Sequence, residues 1–436
     1  MAKIRFKRDN DNDTKPITKE EKVSLIIRLI VILILFTGGI VAMSFGIKSC
    51  TTKAPGYYTI EGNSDPDVPS YDDGDVKLVF YFEGNNATSA HKEVTNIYSE
   101  ALKAGYASTS KLQHFNGYIS IYDINNTNYG EEIELSSFLY YKLKDAYQYS
   151  LDYENYSIFN APIYDYWEYL FTLDKSLASS NDPLNNESSK AYLEDLVKII
   201  QDTNNYAISF DDNKKSVKLT VSETYQNFIN TRYTYRSTKF PLISFNVIEE
   251  AIKVQYLIDS LKNAGYTKGY LTTNNGLSVS LGGLEDIYYN LYDYAQDGSY
   301  RNLGSVTFKN ASGVASFRRF ETVNRLYSPY YSFLKDGEKI YRSSYINNLT
   351  GYPTQYFANS NVFSTSKSIL DSVLMNNELI TKDSLEKTKE AISTEAFNDY
   401  YLAFTCFSKE KTIYLTTNIK EFLTIKKDLD YNLIEL

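Results

Sequence analysis

Histidine and cysteine are scarce in this chain, which has only two of each among 436 residues. His91 and His114 are too few for a His-rich metal centre, and they make a Ser-His-Asp triad hard to build. Cys50 and Cys406 could form at most one bridge, and they stand far apart in the sequence. A disulfide framework of the kind that holds small secreted domains together is therefore excluded.

Clustered positive charge is also missing. The chain carries 45 Lys and Arg against 54 Asp and Glu, a net charge of −9, and has no basic stripe. Because a nucleic-acid groove needs clustered Lys and Arg to hold phosphates, no nucleic-acid partner is expected. With 43% hydrophobic and 23% charged residues the composition is that of a globular protein, so the 42 tyrosines are interpreted mainly as half-buried packing.

One long apolar run is present near the N-terminus. Residues 29–47 contain no charged side chain, and the length of this run is close to the roughly 20 residues needed to cross a bilayer. A transmembrane helix over residues 26–48 is predicted, and the Lys and Arg before it place residues 1–25 as a cytoplasmic tail. A cleaved signal peptide is the alternative, but the preceding polar segment and the apolar run are both long for one.

The segment after this run is predicted to be a flexible stalk over residues 49–75, because Gly, Pro, Asp and Ser dominate it. Residues 47–50 loosely resemble a lipoprotein cleavage box, in which Lys48 is the wrong residue type, so lipidation of Cys50 stays an alternative. The large domain, residues 76–436, is then expected outside the cell membrane.

This large domain shows a mixed pattern of helices and strands. Serines 136 and 137 are candidate N-caps of an amphipathic helix, and Gly265 is a candidate terminator of another over residues 247–264. Residues 206–222 alternate around an Asp-Asp-Asn turn, which predicts a β-hairpin. Residues 350–353, Thr-Gly-Tyr-Pro, predict a sharp turn that could hold backbone against a ligand. The fold class is α+β.

Six stretches, taken in order, resemble the FAD:protein FMN transferases, known as the ApbE family. They are "ISIYDINN" at 119–126, "YSIFNAPIYDYW" at 156–167, "SFNVIEEAIKVQ" at 244–255, "LIDSLKNAGYTKGYLTTNNGLSVSLG" at 257–282, "YRSSYINNLTGYP" at 341–353 and "SKSILDSVLMNN" at 366–377. Each is weak alone, but their shared order identifies the chain as a divergent member. The resemblance implies a mixed domain of antiparallel sheets and packed helices.

The resemblance also implies a reaction and a site. Members of that family use Mg²⁺ to cleave FAD and place FMN on a Thr of a protein partner. Carried over to this sequence, it implies Asp371 as a metal ligand and the following as residues that contact FAD: Asn275, Gly276, Thr350, Gly351 and Tyr352.

Most ionisable residues of the family pattern are replaced. Glu250 stands where the family has a phosphate-pairing Lys, although a solvated helix face beside Glu249 is the simpler interpretation. Met375 displaces the Thr that would bind Mg²⁺ beside Asp371, and a thioether is a poor ligand for a hard cation. For Asp371 itself, a helix-capping role is an equal alternative.

Replacement also affects the turn and the neighbouring segments. Ser344, Asn347 and Asn348 stand for the family's His, Asp and Pro, while Ser157 and Phe159 replace an Asp and a Thr. Residues that bend the backbone persist, whereas those that contact phosphate or metal are mostly changed.

These replacements favour a membrane-anchored extracytoplasmic protein that is catalytically degenerate and binds a flavin or a protein partner. That partner would be an extracytoplasmic flavoprotein or an active paralogue. The alternative is an active Mg²⁺-dependent transferase that flavinylates a Thr of such a partner. A third alternative is a structural surface protein whose cleft has been filled by side chains such as Phe159 and Met375.

Overall fold

The computed structural model describes residues 19–51, 54–62, 67–68, 76–84, 87–235, 239–282, 286–294, 300–309, 314–319, 330–407 and 409–436. The chain divides into two units. One consists of residues 1–55 with 84–88, and the other of residues 56–83 with 89–436.

The first unit contains a single long helix, α1 (Lys19–Thr51). Several of its apolar side chains are exposed, among them Leu33, Leu35 and Phe36. Within the described residues, none of the helices combines the length and the apolar character that crossing a membrane requires. The transmembrane helix predicted over residues 26–48 is therefore not confirmed, and residues 1–18 of the predicted tail lie outside the described residues.

A nine-stranded sheet is the centre of the second unit, in the order β1-β2-β6-β7-β10-β13-β14-β15-β17. Neighbouring strands are antiparallel except β15 and β17, which are parallel. Its strands are β1 (Gly56–Ile60), β2 (Val76–Phe82), β6 (Gly269–Thr273), β7 (Leu277–Gly282), β10 (Val314–Arg319), β13 (Phe357–Ser364), β14 (Tyr401–Cys406), β15 (Lys409–Leu415) and β17 (Asn432–Glu435).

Three smaller sheets complete the β structure. The hairpin predicted over residues 206–222 is present as β4 (Tyr206–Asp211) and β5 (Ser216–Val221), with β3 (Glu132–Glu134) beside β5. The other two sheets consist of β8 (Asp286–Tyr294), β9 (Tyr300–Lys309) and β16 (Leu423–Ile425), and of β11 (Tyr330–Lys335) and β12 (Glu338–Ser343).

The helices of this unit begin and end largely where the sequence signals stand. Ser136 accepts a hydrogen bond from the Leu139 N–H at the start of α4, and Gly265 follows α9 with a φ of 85°. The helices are α2 (Ala87–Thr109), α3 (Ile121–Asn126), α4 (Ser137–Asp152), α5 (Ala161–Thr172), α6 (Lys175–Asn181), α7 (Glu187–Gln201), α8 (Glu223–Arg232), α9 (Glu249–Asn263), α10 (Ile369–Ile380) and α11 (Leu385–Ile392).

Short 3-10 turns join several of these elements. They are Ile158–Asn160, Thr203–Asn205, Asn246–Ile248, Glu395–Phe397, Thr417–Phe422 and Lys427–Leu429. Together the sheets and helices confirm the α+β class and the mixed arrangement of antiparallel strands and packed helices.

The sheet begins earlier than the sequence suggested. Strand β1 lies inside the segment 49–75 that was predicted as a stalk, and it pairs with β2 from Gly56 opposite Phe82 to Ile60 opposite Leu78. Ile60 is buried while Tyr57 is exposed, so this strand has the alternation of a sheet edge. The folded unit therefore starts at Gly56 rather than at Val76.

Helix α10 covers β10 and β13. Its inner face joins an apolar cluster in which Met375, only 4% exposed, packs among residues of β13 and β14. Strand β13 is buried along its whole length. The loop that enters β13 contains the predicted turn at residues 350–353.

Candidate functional site

The turn at residues 350–353 is a closed and well-bonded loop. The Asn347 N–H donates to the Tyr352 carbonyl at 2.9 Å, and the Gly351 N–H donates to the Asn347 carbonyl at 2.8 Å. The Asn347 side-chain oxygen accepts from the backbone N–H groups of Leu349 and Thr350 at 2.9 and 3.1 Å. Gly351 has a φ of 74°, which is the left-handed conformation that glycine adopts easily.

Trp167 and helix α7 both contact Gly351 in this turn. The indole Nε1–H of Trp167 donates to the Gly351 carbonyl at 2.7 Å in a buried hydrogen bond. A Cβ on residue 351 would lie 2.4 Å from Cγ2 of Val197 and 3.2 Å from Cδ1 of Leu193. Glycine is thus required both by backbone conformation and by the close approach of α7.

A buried arginine lies among the aromatic rings beside the turn. The Cζ atom of Arg342 is 5.4 Å from the ring centroid of Trp167, 5.7 Å from that of Tyr352 and 5.8 Å from that of Phe333. These distances fall within the range of cation–π contacts. Arg342, on β12, therefore contacts both Tyr352 of the turn and Trp167.

The charge of Arg342 is balanced by Asp182, at the end of α6. Nε of Arg342 donates to Oδ2 at 2.7 Å and Nη2 donates to Oδ1 at 3.0 Å, and the two side chains are 2% and 0% exposed. The Tyr331 hydroxyl and the Leu184 N–H also donate to this carboxylate, at 2.7 and 2.9 Å. A buried ion pair needs such complete hydrogen bonding to offset its desolvation.

Sequence reasoning missed the Arg342–Asp182 pair. The two residues are 160 positions apart, and no local pattern connects them. Burial and the adjacent carboxylate of Asp182 raise the pKa of Tyr331, so its hydroxyl stays protonated and acts as a donor. The pair is visible only once the fold brings α6 and β12 together.

Tyr352 is the half-buried member of this group of rings. Its ring centroid lies 6.1 Å from that of Trp167. Burial raises the pKa of its hydroxyl, and the positive charge of Arg342 opposes that shift in part. The side chain is a neutral phenol at physiological pH, and part of it is accessible to solvent.

Asn348 is an exception to the good hydrogen bonding of the turn. The residue is 6% exposed, and neither its Nδ2 nor its Oδ1 has a hydrogen-bond partner in the described part of the chain. An unpaired buried polar group destabilises a fold. The turn therefore contains one side chain whose burial opposes folding.

Asn275 and Gly276 form the tight turn between β6 and β7. The Gly276 N–H donates to the Thr273 carbonyl at 3.2 Å, and Gly276 has a φ of 93°. Asn275 is exposed. Strand β10 lies between β7 and β13, so the axes of β7 and β13 are two strand spacings, about 10 Å, apart in the sheet. The Asn275–Gly276 turn thus belongs to a different strand pair from the 350–353 turn.

Asp371 caps its own helix. Its Oδ2 accepts from the Ser368 hydroxyl at 2.7 Å and from the Ser368 N–H at 3.2 Å, while the Ser368 hydroxyl accepts from the Asp371 N–H at 3.1 Å. This is a capping box at the start of α10. The capping alternative considered for Asp371 is therefore present in the structure, whereas its metal role stays a prediction.

The turn and Asp371 lie at opposite ends of α10. The Asn347 side chain donates to the carbonyl of Thr381, directly after this helix, at 3.3 Å. Asp371 is in the first turn of the same helix, so at 1.5 Å per residue about 15 Å separates the two levels. The structure does not bring the predicted metal ligand directly against the predicted FAD turn.

The side chain one helical turn after Asp371 is a poor ligand for Mg²⁺. Met375, one helical turn further on, is buried in the apolar cluster on β13 and offers sulfur instead of oxygen. Across the described ranges, no group of three or more His, Cys, Asp or Glu side chains could hold a metal ion. Met375 thus supplies no oxygen ligand for the implied Mg²⁺ one turn after Asp371.

Comparison with known proteins bears on the fold. No family model and no curated protein sequence matches the chain. Among solved structures, the ApbE protein of Thermotoga maritima matches with a TM-score of 0.56 at 12% identity, over 84% of this chain and 99% of that one. The flavin transferase ApbE of Vibrio cholerae matches with a TM-score of 0.53 at 11% identity, over 85% and 100%. The chain has the ApbE fold. The fold implied by the sequence resemblance is confirmed, and identity this low shows the fold alone.

Within the ApbE-like fold, the start of α9 carries carboxylates that are already paired or partly buried. Glu249 accepts from Lys253 at 2.7 Å and from Thr109 at 3.3 Å. Burial acts to raise the pKa of Glu249, but the charges of Lys253 and Lys111 prevail and lower it. Glu250 beside it is half-buried and not on a fully solvated face.

Phe159 fills space in the same ApbE-like unit. It is 4% exposed, and its ring stacks on Tyr206 with centroids 4.1 Å apart. Like Met375, it has become part of the packing. Phe159 and Met375 therefore both contribute to apolar packing.

Proposed function

We propose that residues 56–436 form a flavin-binding domain that has lost transferase activity. One observation carries the proposal: the Asp371 carboxylate is engaged in a capping box, and the side chain one turn away is the buried thioether of Met375. A Mg²⁺-dependent phosphoryl transfer relies on the metal and on positioned charges for nearly all of its rate. With a thioether in place of a second oxygen ligand beside Asp371, ligand binding without transfer is the function that we expect of this fold.

Flavin is the proposed ligand because two features support a planar aromatic ring. The fold is shared with proteins named as flavin transferases. The half-buried Tyr352 is held by Arg342 and Trp167 beside a turn with fixed backbone. Stacked aromatic pairs contribute about 0.5–1.5 kcal/mol beyond the area they bury.

The test uses the single tryptophan as the reporter. The chain contains one Trp, and its indole is bonded to the turn, so ligand binding near Tyr352 should quench its emission. FAD and FMN are titrated into the full chain with and without Mg²⁺. We expect saturable quenching that is independent of Mg²⁺, and no FMN transfer to a protein acceptor.

A matched pair of variants locates the ligand. Tyr352→Ala should weaken binding by about twofold to tenfold, the factor that corresponds to one stacking contact. Tyr288→Ala removes a 66% exposed tyrosine of β8 and should leave affinity unchanged. Mg²⁺-dependent release or transfer of FMN would instead establish the active transferase. Absence of quenching at millimolar FAD and FMN would refute the flavin proposal.

Location and partners form a separate proposal, which is supported by the sequence of the first 50 residues. We propose that residues 26–48 attach the protein to the cell membrane with residues 76–436 outside, facing an extracytoplasmic flavoprotein or an active paralogue. Fractionation should recover the full chain with membranes and a chain starting at Gly56 without them. Recovery of both in the soluble fraction would refute the attachment.

A further inference from the structure

We infer that Arg342, held by Asp182, is a positioning residue that fixes the ring of Tyr352 for ligand stacking. This inference rests on the proposed flavin function and adds a residue to it. Arg342 does not contact the ligand in this arrangement. It acts through Tyr352.

The first step concerns what the guanidinium can still do. Nε and Nη2 of Arg342 donate to the Asp182 carboxylate, and the side chain is 2% exposed. Its charge is thus neutralised by a buried partner and is not presented to a phosphate. What remains is the flat surface of the guanidinium, which lies near three aromatic rings.

The second step concerns Tyr352. The ring centroid of Tyr352 lies 5.7 Å from Cζ of Arg342 and 6.1 Å from the ring centroid of Trp167. Gly351 before it is fixed by Trp167 and by α7, and Pro353 after it lies in a bridge with Ile346. The backbone is therefore fixed by other contacts, so the contribution of Arg342 concerns the orientation of the ring, which it shares with Trp167.

The third step concerns the residue type. A lysine would keep the positive charge, but it lacks the planar fork that bonds both oxygens of Asp182 while its face lies against rings. Arg342→Lys should therefore loosen Tyr352 without introducing an unpaired carboxylate. A ring that must be ordered on binding lowers affinity, because its lost freedom opposes association.

The test is a double-mutant cycle in the full chain, with FMN affinity measured by Trp167 quenching. Arg342→Lys should weaken FMN binding by about fivefold when Tyr352 is present and by less than about twofold in the Tyr352→Ala background. The control is Lys339→Met, which removes a cation located 5.0 Å over the Tyr341 ring in the same hairpin. It should leave FMN affinity unchanged.

Several outcomes would overturn the inference. Equal effects of Arg342→Lys in both backgrounds would mean that Arg342 does not act through Tyr352, while the flavin proposal would stand. If Arg342→Lys does not fold, as judged by circular dichroism, the double substitution Arg342→Met with Asp182→Leu, which leaves no unpaired buried charge, replaces it in the cycle. The same non-additivity with Tyr352→Ala is expected, and additive effects refute the inference. Failure of the unmodified chain to bind FAD and FMN would refute both the inference and the proposed function.

Discussion

Replacing Gly351 with alanine tests how the turn packs on α7. The native φ of 74° is left-handed, and the added Cβ would lie 2.4 Å from Cγ2 of Val197. The backbone conformation alone costs an L-residue about 1–2 kcal/mol. Forcing a methyl into packed surroundings adds about 1–3 kcal/mol. Gly351→Ala should therefore lower the free energy of unfolding by about 2–5 kcal/mol.

Gly337 provides a matched control. It also has a positive φ, 87°, but no atom lies within 4 Å of a Cβ placed there. Gly337→Ala should then show only the backbone cost of about 1–2 kcal/mol. The difference between the two alanine variants isolates the contact with α7.

The assay is chemical denaturation of the unmodified chain and of both alanine variants. Gly351→Ala is also measured in the Val197→Ala background, with Val197→Ala alone as its reference. Removing the Val197 methyl groups should bring the cost of Gly351→Ala down toward that of Gly337→Ala. If Gly351→Ala is no more destabilising than Gly337→Ala, the turn does not rest on α7 as described. That result would also remove the structural reason for a fixed Tyr352.

Three further expectations concern single side chains. Asn348→Leu should raise the melting temperature, because it removes an unpaired buried amide that costs about 1–3 kcal/mol, whereas Asn348→Asp should lower it. Asp371→Ala and Ser368→Ala should each lower the free energy of unfolding by about 1 kcal/mol, because each removes the capping box. Mg²⁺ should not shift the melting temperature of the unmodified chain. A Mg²⁺ shift that Asp371→Ala abolishes would establish a metal site. Burial raises the pKa of the Cys406 thiol from its ordinary 9.0 to about 12, so this group's contribution to stability is intact below the ordinary value and is lost as pH rises toward about 12. In a Cys50→Ser chain, a thiol reagent at pH 8 should modify Cys406 only after unfolding, and rapid reaction of the folded protein would contradict its 4% exposure.

Elements with a local signal were predictable from the sequence. The start of α4 follows its capping serine, the end of α9 follows Gly265, and the β4–β5 hairpin follows its alternation. In these places the residues that determine the structure are neighbours in the chain, so propensity and tertiary packing favour the same result.

Elements buried on all sides gave no such signal. In α5 every side chain from Ala161 to Trp167 is buried, so the apolar stripe of a surface helix is missing. Strand β13 is buried on both faces and contains Asn and Ser, and for this reason it lacks the expected alternation. The segment that forms strand β1 has the composition of a linker, because Gly and Pro surround it.

The candidate site was predictable in part for the same reason. The bend at Gly351 is encoded locally, and the structure contains it. The supports from Trp167, Arg342 and Asp182 are contacts between distant parts of the chain, which no single-sequence pattern reveals. The capping box of Asp371 also has a local signal, because Ser368 stands three residues before it.

The partnership of Trp167 with Gly351 spans 184 residues, and that of Asp182 with Arg342 spans 160. A nascent chain emerging from the ribosome must therefore release most of its length before either contact can form. Until then the carboxylate of Asp182 lacks its ion-pair partner Arg342, and Trp167 of α5 lacks its hydrogen-bond acceptor at Gly351. Chaperones that shield exposed aromatic surface would find their binding sites in these segments during synthesis.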